Sequence, residues 1–485
     1  MRRVTRATWI PLALYFAQQP LYRNYLTDDS YIYAQFARNL ARSGELVFQR
    51  GEAIHAATSP LWAALGAVGV LLGFDAFVWL KFLGIACGAV AVFWMTQLSL
   101  ASSRNAFSGL LVAVAFAVEP WFVRWSASGM ETALAALLVV AILRFGWCEQ
   151  GRPRALFGMC LAAGLAPLVR PEAVLLSAMV ALRLLMSPRR SEVAAWVALV
   201  APLGLWAAYA LPSYGHLWPQ TVKAKSTPLG LDPSRLLANL RVLATQLAVA
   251  APVALAGLVA AALRWRKRRR QESWLSAVLW VWIVALPTIY LIRDVSVVSR
   301  YLELILPVIL FLGGRAILQS RAGRGLWMGQ IFLALALSIF WISPSTRAFS
   351  RSIDVALGDI AEWLRLNSHE DDIVAVYDIG LVGYRADRRL LDLGGLVHPG
   401  INELRNSVDD EEIVRRGLFR DYGDPDYLVH RASEPEALRD TLLRDRRPIP
   451  ILYREVANLG LRQVGPVFYT LYALRPTDEP RAGTP

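Results

Sequence analysis

The chain has 485 residues, of which 55% are hydrophobic and 18% charged. A water-soluble domain carries about a quarter charged residues, so this shortfall excludes an ordinary soluble protein and points to lipid. The formal charge of +13 does not indicate nucleic acid, because the basic residues fall in short bursts between apolar runs: Arg2, Arg3 and Arg6; Arg152 and Arg154; Arg183, Arg189 and Arg190; 264–270; 315–324. Such bursts are what the positive-inside rule expects of cytoplasmic loops, and membrane lipids are the expected surroundings.

Arg2–Arg6 followed by Trp9–Ala17 has the layout of a signal peptide but no small-residue cleavage site, and it reads as an uncleaved first span over 7–26; a cleaved signal stays open. Long apolar runs such as Ala133–Leu143, Val193–Leu211 and Leu236–Leu263 are of membrane-crossing composition. Spans are expected at 59–101 (one crossing with a partly embedded lead-in), 105–121, 131–148, 155–169, 172–187, 193–211, 236–263, 274–292, 300–317 and 326–343. With the N-terminus inside, eleven crossings leave the C-terminus outside and the basic loops 149–154, 187–192, 264–270 and 315–324 inside. A second crossing within 59–101 would upset that parity. Cys87, Cys148 and Cys160 show no metal or disulfide spacing and read as small hydrophobes.

The chain therefore divides into a transmembrane domain, 1–343, with a first outer loop at 27–58, and a tail, 344–485. The tail is rich in Asp, Glu and Arg. It alternates a helical stretch, Ile353–Leu366, with strand-like runs at Ile373–Val376, Tyr427–Val429 and Phe468–Leu474. This predicts a compact α/β domain of about 130 residues on the outer face.

Within the first outer loop, Asp28 and Asp29 stand where the first span leaves the membrane. Ile32, Phe36 and Leu40 then recur at helical spacing, with Gln35, Arg38 and Arg42 on another face. That predicts an amphipathic helix in the interface, capped by Thr27 or an Asp and ended near Gly44. Adjacent carboxylates there can raise one another's pKa, take a proton from a hydroxyl or share a divalent cation; the plainer reading is that they cap the helix. Lys223 and Lys225 are two of only four lysines and fall on an expected outer loop, against the positive-inside bias, which suggests an anionic partner. Arg170, Arg293 and Arg300 also stand at outer span ends and can grip phosphate, or merely reach lipid headgroups. Glu131 opens a span, Glu172 shares the Arg170 turn, and Tyr301 adjoins Arg300. His55 follows the interface helix. Trp121, Trp125 and Trp218 can stack on sugar or serve as interfacial anchors. The chain has no GxGxxG and no P-loop to cradle a nucleotide.

In this order the motifs resemble the C-type fold (GT-C) of integral membrane glycosyltransferases, in particular bacterial enzymes related to the terminal arabinofuranosyltransferases and the dolichyl-phosphate-mannose-type transferases. The resemblance rests on Asp28–Ile32 with Ala37–Leu40, Gly51–Glu52 through Thr58–Trp62, Ser128–Thr132, Arg170–Glu172, Tyr214–Gly215 with Lys223–Lys225, Arg300–Tyr301, Tyr377–Gly380 and Leu391–Leu396. It implies an α-helical polytopic membrane protein with a C-terminal extracytoplasmic α/β domain, in the cytoplasmic membrane. The implied activity is inverting transfer of one sugar from a polyprenyl-phosphate donor to a glycan, lipid or protein acceptor outside. It also implies Asp28 or Asp29 as general base and Lys223, Lys225, Arg170 and Arg300 as donor-phosphate contacts. Glu131, Arg38, His55, Glu172 and Tyr301 are the candidate substrate contacts. Whether a divalent cation assists is left open. The rival readings are a transporter or flippase of lipid-linked sugars, and a ligase that moves a preassembled glycan.

Overall fold

A computed structural model describes residues 2–103, 105–147, 152–186, 192–221, 233–268, 274–295, 298–444, 446–456 and 466–474. In lipid each backbone polar group must be satisfied within its own segment, and the apolar part of the chain is accordingly helical. It runs α1 (Arg2–Gln18), α2 (Asp28–Ser43), α3 (Pro60–Leu71), α4 (Ala76–Ser102), α5 (Ala106–Ala117), α6 (Pro120–Ser126), α7 (Thr132–Trp147), α8 (Pro153–Leu165), α9 (Val174–Leu185), α10 (Val193–Tyr214), α11 (Pro233–Ala250), α12 (Pro252–Arg268), α13 (Trp274–Ile292), α14 (Leu306–Ile317) and α15 (Arg321–Leu337). The tail follows as α16 (Ser343–Asn367), β1 (Ile373–Val376), α17 (Ile379–Ala386), β2 (Arg389–Asp392), α18 (Pro399–Arg405), α19 (Asp410–Arg415), β3 (Tyr427–Ala432), β4 (Ile449–Val456) and β5 (Val467–Ala473).

Among the described residues, α4, α10, α13 and the continuous stretch Arg321–Asn367 are each long and apolar enough to cross a bilayer, which makes this a multi-pass membrane protein. Three expected spans are each broken into two α-helices. The run 59–101 is two helices, because Gly73 turns the chain in the left-handed region (φ +88°) and Asp75 restarts it by accepting the Val78 N–H. At 12 residues α3 is about 18 Å long, too short to cross alone. The run 105–121 bends by 52° where Glu119 caps α6 and Pro120 opens it. The run 236–263 bends by 102° at Pro252, where Gln330 from α15 accepts the Val253 and Ala254 N–H groups left bare by the break.

The boundary expected at 343 falls inside an unbroken helix. α15 passes through a π-helical turn at Ser338–Ile342 directly into α16, so the last span rises into the tail. There a five-stranded sheet has the order β2-β1-β3-β5-β4, with β1 parallel to β2 and β3 and the remaining pairs antiparallel. Alternate residues of β1 serve two cores. Ala375 packs with Leu391, Ile413, Phe419 and Leu428 on one face of the sheet. Val374 and Val376 on the other face join Ile353, Leu357, Ile379 and Leu381, and with them Tyr31, Phe36, Leu46 and Phe48 of the segment 27–58. The tail and the first loop thus share one hydrophobic core.

That shared core changes the reading of α2. The helix forms as its periodicity predicts, from Asp28 to Ser43, and ends at Gly44 with φ +74°. It does not lie free on the membrane surface, because α3 packs on one side and α17 on the other, burying Tyr31, Tyr33, Phe36 and Asn39.

Candidate active site

A cavity of about 430 Å³ opens where α2 meets the ends of the membrane helices on the tail's side. Its charged lining comprises Asp29, Glu131, Arg170, Glu172, Arg293 and Arg300, and its apolar lining includes Ile32, Phe36, Leu175, Trp218, Leu396 and Val397. The elements that place these groups are distant in sequence. α2 supplies Asp29, Ile32, Tyr33 and Phe36 at i, i+3, i+4 and i+7, one stripe of a helix. The turn before α7 supplies Glu131; Gly129 there takes φ +82°, and its carbonyl accepts the Trp62 indole N–H at 3.0 Å. Ser30 ties α2 to the same turn by donating to the Ser128 carbonyl at 2.7 Å. The 170–172 turn supplies Arg170 and Glu172, and the 3-10 turn Ser299–Leu304 supplies Arg300 and Tyr301.

Arg300 Nη1 donates to Asp29 Oδ2 at 2.5 Å. Arg170 Nε stands 3.2 Å from Glu131 Oε1, with both side chains buried. The guanidinium carbons of Arg170 and Arg300 lie 4.8 and 5.4 Å from the centre of the Tyr301 ring. Tyr290 donates to Glu172 Oε1 at 3.1 Å. Burial works against the charge on Arg170, but Glu131 and Glu172 outweigh it and hold its pKa above the ordinary value. Several buried polar atoms here have no hydrogen-bond partner: Arg170 Nη2, Glu131 Oε2, Glu172 Oε2 and Arg300 Nε. A carboxylate facing two such guanidinium groups across one cavity can accept a proton while they hold an anion.

The two aspartates part company. Asp28 is absent from the cavity lining. Its carboxylate reaches the other way and accepts the N–H groups of Gly380 (2.9 Å, Oδ2) and Leu381 (2.7 Å, Oδ1) at the start of α17. It therefore caps a helix, as one reading of the sequence had it, but the helix belongs to the tail. Burial and the nearby Asp378 carboxylate push its pKa up to about 8, against the pull of those two amides. A raised pKa alone would suit a general base; geometry comes first, and both oxygens are already engaged away from the cavity.

Arg38 and His55 are likewise placed outside the lining. Arg38 donates to the Tyr384 carbonyl (3.0 Å) and pairs with Asp387 (2.9 Å). His55 is buried, its ring stacked on Tyr214 at 4.9 Å, and its carbonyl accepts the Gln220 N–H at 2.7 Å. Burial, then His216, lower its pKa to about 4. Trp121 and Trp125 are buried and donate to the Gln246 carbonyl and Ser299 Oγ, whereas Trp218 lines the cavity. Lys223 and Lys225 lie outside the described residues; the last described residue before them, Thr221, lines the cavity. Among the described residues no group of three or more His, Cys, Asp or Glu could hold a metal ion. Sequence reasoning missed Tyr33, Tyr290 and the Leu396–Val397 pair. Helical spacing from Asp29 would have found Tyr33; the other two arrive only through tertiary folding.

The architecture matches solved structures over nearly its whole length. ArnT from Cupriavidus metallidurans, in the apo state, is similar at TM-score 0.61 with 14% identity, covering 96% of this chain and 97% of that one; its undecaprenyl phosphate complex gives 0.58. The oligosaccharyltransferase AglB from Archaeoglobus fulgidus, in complex with an inhibitory peptide and a dolichol-phosphate, is similar at 0.56 with 12% identity, over 88% of this chain and 69% of that one. A mutant of the arabinofuranosyltransferase AftD from Mycobacteria is similar at 0.52 with 18% identity, over 98% of this chain and 42% of that one. A family described as a domain of unknown function, DUF8728, matches residues 347–473. No curated protein matches the chain in sequence. The fold is that of the GT-C integral membrane glycosyltransferases, with a small sheet domain at the C-terminus.

Proposed function

We propose that this protein moves a single sugar from a polyprenyl-phosphate donor to an acceptor hydroxyl on the outer face of the cytoplasmic membrane, with Asp29 as the general base. The observation that carries this reading is the position of Asp29 on the cavity wall, 2.5 Å from Arg300 and sharing that cavity with Arg170. The donor phosphate sits against Arg170, Arg300 and Arg293, with Lys223 and Lys225, which follow Thr221 in sequence, as further contacts, and draws Arg300 away from Asp29. The acceptor oxygen attacks the anomeric carbon opposite the phosphate while its proton passes to Asp29. The anomeric C–O bond breaks, its electron pair leaves with polyprenyl phosphate, and the configuration inverts. Glu131 and Glu172 hold Arg170 in place; Trp218 offers the sugar a stacking face.

A cavity of about 430 Å³ falls within the ~300–1,000 Å³ usual for ligand sites and has room for one sugar and its phosphate. The test is transfer from a panel of radiolabelled polyprenyl-phosphate sugars in purified membranes. Wild type adds one sugar by mass, and Asp29→Asn loses about 10²- to 10⁴-fold in turnover while remaining folded. Wild-type turnover in Asp29→Asn removes the base, and a product extended by several sugars at once replaces the reaction with a ligase.

A further inference from the structure

Open α/β sheets bind ligands beyond the carboxyl ends of their parallel strands, at the start of the helix that follows. In the tail, β1 lies between β2 and β3, parallel to both, and runs through Tyr377 and Asp378 into α17. The place where such a domain would take an anion is filled from within the chain, by the Asp28 carboxylate on the N–H groups of the second and third residues of α17. The approach is so close that a Cβ built on Gly380 would collide with the Asp28 carbonyl oxygen. Two further contacts from the same side of α2 reinforce it: Arg385 donates to the Tyr31 hydroxyl at 2.8 Å, and Arg38 pairs with Asp387. Next to this contact, the loop after β2 is fixed by buried Asp392, which accepts the Gly394 and Val397 N–H groups at 2.8 and 2.7 Å. That loop brings Leu396 and Val397 to the cavity.

We infer that Asp28 is a positioning residue: its contact with α17 seats the tail so that Leu396 and Val397 roof the cavity over the neighbouring Asp29. The tail is then part of the reaction chamber, and acceptor binding depends on its docking. This rests on the reading of Asp29 and its cavity as the reaction site. The docking itself can be measured without any substrate.

The experiment is hydrogen exchange by mass spectrometry on the full chain in lipid nanodiscs, comparing wild type with Asp28→Asn, Gly380→Ala and Asp29→Asn. Transfer kinetics are run on the same preparations. Asp28→Asn turns an amide NH₂ or a weaker acceptor toward the α17 N–H groups, and Gly380→Ala blocks the contact from the other side. Both are expected to speed exchange in 379–386 and 393–397 by about 10- to 100-fold, the loss of a hydrogen bond to a charged group, and to raise the acceptor KM more than they lower kcat. Asp29→Asn is expected to leave exchange in those peptides at the wild-type rate and to lose turnover. Wild-type exchange in both docking variants overturns the inference, whatever their activity. Loss of kcat in Asp28→Asn with unchanged exchange overturns it too, and makes Asp28 the base. Full turnover in Asp29→Asn removes the functional reading alone, since the exchange result still decides the docking.

Discussion

The buried pair between Arg170 and Glu131 offers the most direct energetic test of the cavity wall. Glu131 is 1% exposed and Arg170 8%, with 3.2 Å between the charged atoms. At an effective dielectric of about 20, two unit charges at that distance attract by about 5 kcal/mol. Glu131→Gln keeps the shape and removes the charge, leaving Arg170 buried on Tyr301 with Glu172 as its remaining acid. Removing one partner of a buried pair costs about 3–5 kcal/mol, because the surviving charge is stranded. Equilibrium unfolding in mixed micelles of Glu131→Gln, Arg170→Met and the double variant isolates the pairwise term. The double variant should lose less than the two single variants together, by roughly 2 kcal/mol or more. A coupling below about 0.5 kcal/mol would refute the reasoning, showing that water screens this wall as it screens an exposed pair.

Helix packing and the tail supply two further expectations. A Cβ on Gly313 of α14 would collide with the Ala254 carbonyl of α12, whereas one on Gly204 meets nothing within 4 Å. Gly313→Ala should therefore lower the thermal midpoint by the equivalent of about 1–3 kcal/mol while Gly204→Ala does not, and equal midpoints would contradict the close crossing. Buried His430 in β3 has its pKa lowered from 6.5 to about 4, by burial first and then by Arg415 and Arg431. The unfolded chain then binds a proton between those values that the folded chain refuses. Stability present above about pH 6.5 is accordingly lost as pH falls toward 4. His430→Phe should flatten that limb of a denaturation-midpoint profile, and an unchanged limb would assign it to other groups.

Much of this was legible before folding, and what was not has identifiable physical causes. Membrane class, the tail's α/β nature, the strand Ile373–Val376 and the start of Tyr427–Ala432, expected as Tyr427–Val429, follow from composition and local sequence pattern. β2 escaped notice because four residues, Arg389–Asp392, are too few to show a period. The bends at Pro120 and Pro252 were hidden by hydropathy, which sums apolar content and ignores the missing proline N–H. The cavity's charged set could be collected by kind, since Arg170, Glu131, Glu172 and Arg300 all stand at expected outer span ends. Which charge meets which could not, because Arg300 and Asp29 are 271 residues apart.

The two aspartates show how far helical spacing goes and where tertiary structure takes over. Successive residues on a helix point about 100° apart, so Asp28 and Asp29 cannot face one substrate together. Counting from Asp29 by threes and fours gives Ile32, Tyr33 and Phe36, all of which line the cavity. Counting from Asp28 in the same way gives Tyr31, Ile32 and Gln35, with Arg38 one turn further on; Ile32 belongs to both counts and lines the cavity. Tyr31 accepts from Arg385, and Arg38 holds both Asp387 and the Gln35 side chain, so Tyr31 and Arg38 contact the tail directly. One helix therefore presents one acid to a chamber and the other to a neighbouring domain. A pair of carboxylates that looked like a single two-acid centre is divided by the fold into one group on the cavity wall and one held against the tail.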